Sequence, residues 1–263
     1  MQKKKILITG SSGLVGSILA EGLKDDYDVS GLDVRPSNVI ATTIADSSDT
    51  KGMKEAFDDV DIVIDLASNP SQYSPWEVIH ENNILCTINA LEFSQQCGVK
   101  RVIFASSNHA TGMYELDLPY SDIVSGQYQG YDGNEIPRIN TAMPIRPDGP
   151  YGIAKAFGEA SGRYYSDKYG LSFLALRIGT VNVENKPTNL RQFSTLLTHQ
   201  DLMRLVTSCI EAPSDLGFGI YYGVSDNSWR IWDTYNAKED LSYLPLDNAE
   251  SWRSEFQRQL HQG

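Results

Sequence analysis

Short runs of β-branched and other apolar residues alternate along the chain with longer segments of helical period. The runs that predict strands are Ile6–Thr9, Val29–Leu32, Val39–Ile44, Asp61–Leu66, Arg101–Ala105, Ser172–Ile178 and Gly219–Val224. Apolar runs of this length, separated by helical segments, are typical of repeated βαβ units. The pattern therefore predicts an α/β fold in which a doubly wound parallel sheet is covered by helices on both faces.

One helix is predicted in particular detail by its spacing. Apolar residues recur at steps of three and four at Ile153, Phe157, Ala160 and Tyr164. Such a stripe is expected to pack against the sheet. Tyr151 and Lys155 lie one turn apart and should share a face of this helix.

The remainder of the chain is less regular. Between Thr111 and Pro150 the sequence is rich in Tyr, Gly and Pro and has no convincing period, and a connection this long is usually functional or mobile. Beyond residue 179 a helix-like segment, 201–212, and the last apolar run interrupt polar and aromatic sequence. We therefore expect a main domain at 1–178 and a small C-terminal lobe at 179–263 that returns one strand to the sheet.

Composition narrows the function classes. The 263 residues, 41% of them hydrophobic, can bury a full core, and the net charge of −12 argues against a nucleic-acid partner. No apolar run approaches the roughly 20 residues that a membrane span needs. The three cysteines and four histidines show no metal-ligand or disulfide spacing. We expect a soluble protein of the cytoplasm, with no metal site and no membrane partner.

A glycine-rich turn, TGSSGLVG, follows the first predicted strand and opens an amphipathic helix. At this position Gly10 permits a tight turn, Gly13 lets the backbone approach a pyrophosphate, and Gly16 lets the helix lie close to the sheet. The N-terminus of the helix attracts phosphates. Glycines at this spacing also fit a plain strand-to-helix turn, so the motif needs support from elsewhere in the chain.

Acidic residues at two predicted strand ends supply that support. Asp33 lies 17 residues after Gly16, where a carboxylate can accept hydrogen bonds from the adenosine ribose hydroxyls. The same carboxylate would repel a 2′-phosphate, so NAD is favoured over NADP, although Arg35 lies two positions further on. Asp46, at the end of the third predicted strand, either contacts the adenine amino group or caps a turn.

The segment SSNH ends the fifth predicted strand, and Tyr151 and Lys155 lie on a later helix. Oxidation of an alcohol carbon by hydride removal requires a base for the hydroxyl proton, and a tyrosine phenolate serves if its pKa of about 10 is lowered. A neighbouring lysine cation does so, while a serine hydroxyl holds the substrate oxygen. A Tyr-xxx-Lys pair alone also fits a surface helix, but after a glycine-rich first turn it favours dehydrogenase chemistry.

These motifs together resemble the extended short-chain dehydrogenase/reductase family, which includes nucleotide-sugar epimerases and dehydratases. They are TGxxGxxG, the acidic end of strand two, Asn83 in NNILCT, the serine pair after strand five and YxxxK. The resemblance implies a Rossmann-type NAD-binding domain at 1–178, a substrate-binding lobe at 179–263, and Ser107, Tyr151 and Lys155 as catalytic residues. The implied cofactor-binding residues are Gly10, Ser12, Gly13, Leu14, Val15, Gly16, Asp33, Asp46, Leu66, Ala67, Asn83, Tyr151 and Lys155.

A closer likeness concerns FASSNHATG, RPDGPYGIAKAFGE, RIGT and NLRQFST, which are similar to segments of uronate dehydrogenases and of archaeal NAD-dependent glucose-6-phosphate dehydrogenases. It implies oxidation of the anomeric carbon of a uronate or a sugar phosphate to a lactone. The implied substrate-binding residues are Ser107, Asn108, His109, Thr180 and Arg191, with Arg191 pairing with the anionic group. Two features depart from these patterns: Asp65 stands where the wider family often has a histidine at the end of strand four, and the loop 68–75 does not match uronate dehydrogenases well.

Two other functions use part of the same machinery. An epimerase or dehydratase would keep its NAD bound and act on a nucleotide sugar, but only 108 residues follow Lys155, which leaves little chain for a nucleotide-binding lobe. A non-catalytic NAD sensor would need the glycines without the base. By analogy with the family we also expect a homodimer, formed through the helices near 75–97 and 151–169.

Overall fold

A seven-stranded, fully parallel sheet runs through the protein in the computed structural model, which describes residues 3–260. The strands are β1 (Lys5–Thr9), β2 (Asp28–Asp33), β3 (Thr42–Ile44), β4 (Ile62–Asp65), β5 (Arg101–Ser107), β6 (Ser172–Ile178) and β7 (Phe218–Gly223). The helices are α1 (Leu14–Leu23), α2 (Met53–Phe57), α3 (Trp76–Ile79), α4 (Cys86–Gln96), α5 (Tyr120–Val124), α6 (Pro150–Tyr169), α7 (Gln192–Thr195), α8 (His199–Glu211), α9 (Tyr235–Leu241) and α10 (Arg253–Leu260). A π-helical segment, His80–Leu85, joins α3 to α4, and 3₁₀ helices span Asn108–Leu116 and Ala249–Trp252.

The strand order is β3-β2-β1-β4-β5-β6-β7, so the chain winds outward from β1 in one direction and from β4 in the other. The doubly wound, Rossmann-type sheet predicted from the sequence is confirmed. The loops that follow β1 and β4 diverge at this switch point and open a crevice at the carboxyl ends of the strands, where ligands of such sheets bind. β7 is the strand that the C-terminal part of the chain returns to the sheet.

Each face of the sheet has its own hydrophobic core. On one face α1 and α8 meet around Leu19, Leu202 and Leu205. On the other face Met53, Phe57, Leu91 and Tyr165 pack from α2, α4 and α6. No helix within residues 3–260 is both long and apolar enough to cross a membrane.

The predicted packed stripe of α6 is wrong. Ile153 is 43% exposed and Tyr164 54% exposed, whereas the face that packs on the sheet carries small residues. A Cβ atom added at Gly158 would lie 2.3 Å from the ring of Phe104, and one at Gly162 would lie 2.2 Å from the ring of Phe173. The helix lies so close to β5 and β6 that glycine is required there, and this approach turns the larger residues outward.

Two further segments differ from the sequence pattern. β3 begins at Thr42, so the apolar residues that precede it belong to the connection from β2. The irregular segment between residues 111 and 150 is anchored by a core of its own, in which Ile123, Ile139 and Tyr114 pack with Trp232. Ile139 also forms a parallel bridge with Trp232. These contacts hold the segment beside the carboxyl edge of the sheet.

Candidate active site

A cleft of about 810 Å³ opens at the carboxyl edge of the sheet, a size within the usual range for small-molecule sites. Most of the site residues predicted from the sequence line it: Gly10, Gly13, Leu14, Val15, Gly16, Asp33, Asp46, Leu66, Ala67, Ser107, Asn108, His109, Tyr151, Lys155, Thr180 and Arg191. Ser12 and Asn83 do not line the cleft.

The glycine turn between β1 and α1 is shaped by close backbone contacts. Gly10 has a φ of +67°, and a Cβ there would lie 3.0 Å from the backbone of Leu66 and Ala67. A Cβ at Gly16 would lie 2.3 Å from the carbonyl oxygen of Gly10. Gly13 leaves space at the start of α1, whose first-turn N–H groups have no acceptor inside the helix. These residues fit the pyrophosphate of a dinucleotide.

Asp33 is held at the end of β2 by two backbone groups. Its carboxylate oxygens accept hydrogen bonds from the amides of Ser12 and Arg35, each at 2.9 Å. The Arg35 side chain in turn donates to the carbonyl of Ser12, at 3.3 Å. Ser12 therefore helps to fix a carboxylate that lines the cleft.

Two predicted cofactor residues have local partners. The side chain of buried Asn83 accepts from the amide of Asn69 at 3.2 Å and donates to the Asn69 carbonyl at 3.0 Å. Asn83 thus holds the loop after β4, and its neighbour Asn82 lines the cleft instead. Asp46 accepts from the amide of Ser48 at 2.8 Å while also lining the cleft, so it caps a turn at a position open to a ligand.

Ser107, Tyr151 and Lys155 converge on the cleft from β5 and the first turns of α6. The Lys155 Nζ lies 5.4 Å from the centroid of the Tyr151 ring. Burial raises the pKa of Tyr151 to about 12, and a hydrogen bond from Ser107 lowers the pKa in part. A phenolate at this position therefore needs added positive charge, and Lys155 is the cation that lies near the ring.

Lys155, the lysine of the predicted catalytic set, lies beside a buried carboxylate. Burial lowers the pKa of Lys155 to about 8, and Asp65 opposes that shift. Asp65 ends β4 and accepts from Thr9 Oγ1 at 2.6 Å; burial raises its pKa to about 6. Lys155 Nζ also donates to Ser68 Oγ at 3.2 Å, a contact that could not be predicted from the sequence.

On the far side of the cleft, two predicted substrate residues are paired with acids that the sequence analysis missed. His109 Nδ1 lies 2.6 Å from a carboxylate oxygen of Asp148. Arg191 donates from Nε and Nη2 to the two carboxylate oxygens of Glu115, each at 2.6 Å. Asp148 lies within the quoted segment RPDGPYGIAKAFGE, whereas Glu115 lies outside the four quoted segments, and their partners are 39 and 76 residues away in the chain.

Residues 6–204, most of the chain, match the NAD dependent epimerase/dehydratase family. The chain belongs to this family. An NAD-dependent glucose-6-phosphate dehydrogenase of Haloferax volcanii is 34% identical over 255 residues, which cover 93% of this chain and 94% of that protein. An L-arabinose 1-dehydrogenase (NAD(P)(+)) of Haloferax volcanii is 37% identical over 175 residues, 66% of each chain. The crystal structure of uronate dehydrogenase from Agrobacterium tumefaciens superposes with a TM-score of 0.82 at 29% identity, covering 98% of this chain and 90% of that one.

These matches confirm the resemblance inferred from the motifs. The protein is an NAD-dependent oxidoreductase of the extended short-chain dehydrogenase/reductase type, and NAD is its cofactor. The glycine turn, the helix N-terminus and the fixed carboxylate of Asp33 are groups that fit this cofactor. Most of the residues predicted to bind the dinucleotide, and the tyrosine predicted to act as the base, line one cleft.

Cofactor choice in this family member should depend on Asp33. Replacing Asp33 with alanine removes the charge that repels a 2′-phosphate and leaves Arg35 free to meet one. We expect the ratio of kcat/KM for NAD to that for NADP to fall by at least about tenfold, measured by steady-state kinetics with each cofactor.

Asp49→Asn is the matched control, because Asp49 is an exposed carboxylate on the loop after β3 that does not line the cleft. It should leave the cofactor ratio unchanged. A wild-type enzyme that already prefers NADP would contradict the role given to Asp33.

Proposed function

We propose that the protein is a sugar dehydrogenase that oxidises the anomeric carbon of a free sugar, a uronate or a sugar phosphate, to a lactone. The observation that carries this proposal is the convergence of Ser107, Tyr151 and Lys155 in the cleft that also contains the glycine turn and Asp33. A base beside a dinucleotide site is the arrangement that alcohol oxidation requires. Relatives named for glucose 6-phosphate, arabinose and uronate support a sugar as the substrate class.

In the proposed reaction Tyr151, as the phenolate, takes the proton of the anomeric hydroxyl while Ser107 holds that oxygen. NAD, when bound, would supply the hydride acceptor for the same carbon, so that the C–O bond would become the carbonyl of the lactone. Lys155 stabilises the phenolate as a cation, and the carboxylate of Asp65 favours the charged form of the lysine. The substrate thus loses one hydride and one proton, and Tyr151 passes the proton to solvent.

The far side of the cleft would hold the rest of the sugar. Asn108, His109 and Thr180 offer polar groups for ring hydroxyls, and Arg191 offers a guanidinium for a carboxylate or a phosphate. Thr180 Oγ1 lies 2.7 Å from Thr195 Oγ1, a contact that fixes its orientation. Because Thr180 and Arg191 follow residue 178, their place in the cleft supports an NAD-binding part at 1–178 and a substrate-binding part at 179–263.

The proposal is tested by incubating the protein and NAD with glucose, glucuronate, glucose 6-phosphate and UDP-glucose while nicotinamide absorbance is followed. We expect NADH to form with at least one free sugar or sugar phosphate, at a rate that depends on the sugar concentration, with a lactone as the product. Conversion of UDP-glucose without net NADH would instead indicate an epimerase or dehydratase. Absence of any turnover, with NAD bound, would indicate a sensor.

A homodimer and a cytoplasmic location are part of the proposal. The outward stripe of α6, with Ile153 and Tyr164 exposed, and the 47% exposure of Trp76 on α3 support an interface formed by these helices. The three cysteines form no disulfide within the described residues, which supports a reducing compartment.

A further inference from the structure

The two Arg191 nitrogens that could bind a substrate carboxylate together, Nε and Nη2, already bind a carboxylate of the protein. Glu115 accepts from Nε and Nη2 at 2.6 Å each, the bidentate geometry that an arginine offers to a substrate carboxylate or phosphate. The pair is not a loose surface contact, because the side chain of Glu115 is only 12% exposed and that of Arg191 is 32% exposed. The protein thus carries its own anion at the place where a substrate anion would bind.

Asn108 accepts a further hydrogen bond from the same guanidinium. With its amide oriented to satisfy both neighbours, Asn108 donates to the carbonyl of Ile178 at 3.1 Å and accepts from Arg191 Nη2 at 2.6 Å. Nη1 is then the one nitrogen of the Arg191 guanidinium that has no hydrogen-bond partner among residues 3–260. One nitrogen can hold a neutral hydroxyl oxygen well, but it cannot form the fork on a carboxylate.

The charge around Arg191 also disfavours a second anion. Asp148, which is paired with His109, lies near enough to add to the effect of Glu115 in raising the pKa of Arg191 against the lowering that burial causes. One arginine therefore faces two carboxylates. An incoming carboxylate or phosphate would meet repulsion from Glu115 unless it displaced that side chain.

We propose that Glu115 is a specificity-determining residue, which occupies the fork of Arg191 and lets an anionic sugar bind only in competition with its own carboxylate. The inference rests on the proposed sugar dehydrogenase activity and adds the group that sets the balance between anionic and neutral sugars. A neutral sugar needs only Nη1 as a hydrogen-bond donor, so it does not compete with the carboxylate of Glu115. Removing the charge of Glu115 frees the fork for the sugar's anion.

The test compares sugars that differ only at C6, glucose with glucuronate and galactose with galacturonate. The wild type, Glu115→Gln and Asp117→Asn are assayed at saturating NAD. Asp117, two residues after Glu115, is the matched control, because it pairs with Arg146 and not with Arg191, and its side chain is 46% exposed. In Glu115→Gln the ratio of kcat/KM for the uronate to that for the neutral sugar should rise about 10- to 100-fold. In Asp117→Asn the ratio should not change.

A second arm measures binding without turnover. Calorimetry of the enzyme–NADH complex with glucuronate and with glucose gives the same ratio from dissociation constants, so it remains decisive if no sugar is oxidised and the proposed function fails. The gain of Glu115→Gln should disappear in the double variant with Arg191→Leu, because the freed fork is then absent. Equal ratios in wild type and Glu115→Gln, or a weaker preference for the uronate in the variant, would overturn the inference. The second result would mean that Glu115 orients Arg191 for the anion.

Discussion

Replacing Tyr151 with phenylalanine is expected to abolish most of the turnover while NAD still binds. The substitution preserves the ring and removes only the hydroxyl that accepts the proton. Loss of a general base typically costs about 10²- to 10⁴-fold in rate. We expect kcat to fall by that factor in NADH-formation assays, with little change in the dissociation constant of NAD measured by calorimetry.

A tyrosine elsewhere on the same helix provides the control. Tyr164 is 54% exposed and does not line the cleft, so Tyr164→Phe should have near wild-type kinetics. If Tyr151→Phe kept near-normal turnover, the base would be another group. His109 would be the next candidate, because its ring centroid lies 5.8 Å from that of Tyr151 and its Nδ1 contacts Asp148.

The parts of the fold and site that could be predicted are those that depend on local sequence. Gly10 and Gly16 are required by backbone contacts within one strand-turn-helix unit, and their spacing in the sequence reflects that requirement directly. The end of β2 places Asp33 beside that turn whatever the rest of the chain does. The alternation of apolar runs was enough to predict the parallel sheet because the runs of the central strands β1, β4, β5 and β6 are buried on both faces.

The parts that could not be predicted depend on contacts between distant segments. The stripe at Ile153 and Tyr164 has helical period, but glycines allow the opposite face of α6 to approach the sheet, and a pattern of large apolar residues does not record such an approach. The pairing of Glu115 with Arg191 spans 76 residues. Glu115 lies on the 3₁₀ helix Asn108–Leu116, and nothing in the sequence around it indicates that Arg191 is its partner. The contact that occupies the Arg191 guanidinium could therefore be found only in the structure.

A buried ion pair beneath the site is the feature on which stability should depend most. Arg177, at the end of β6, donates from Nε and Nη2 to the two oxygens of Glu159 at 2.9 and 2.8 Å. Their side chains are 1% and 4% exposed. Ser106 Oγ donates to the same carboxylate at 2.6 Å, and Arg177 Nη1 donates to the hydroxyl of Tyr222 at 3.1 Å. The network thus joins β5, α6, β6 and β7 next to the strand end that carries the serine of the site.

Glu159→Gln keeps the shape of the side chain but leaves the Arg177 cation buried without a counter-charge. Removing one partner of a buried pair typically costs about 3–5 kcal/mol. We expect the free energy of unfolding in urea to fall by that amount and Tm to fall by roughly 10 °C. The exposed pair Arg163–Asp167 on the same helix, with both side chains 58% exposed, is the control, and Asp167→Asn should cost less than about 0.5 kcal/mol.

The double variant Glu159→Leu with Arg177→Met separates the cost of an unpaired buried cation from the loss of the attraction between the two charges. It removes both charges together, and replacement of a whole buried pair by apolar residues is often neutral or stabilising. We expect the double variant to recover most of the stability lost in Glu159→Gln, because the loss arises from the unpaired cation and not from the missing attraction. Unfolding of Glu159→Gln at the same urea concentration as the wild type would contradict this prediction. Water or a rearranged Tyr222 would then have to solvate the guanidinium, and the ion pair would not be what holds β5, α6, β6 and β7 together.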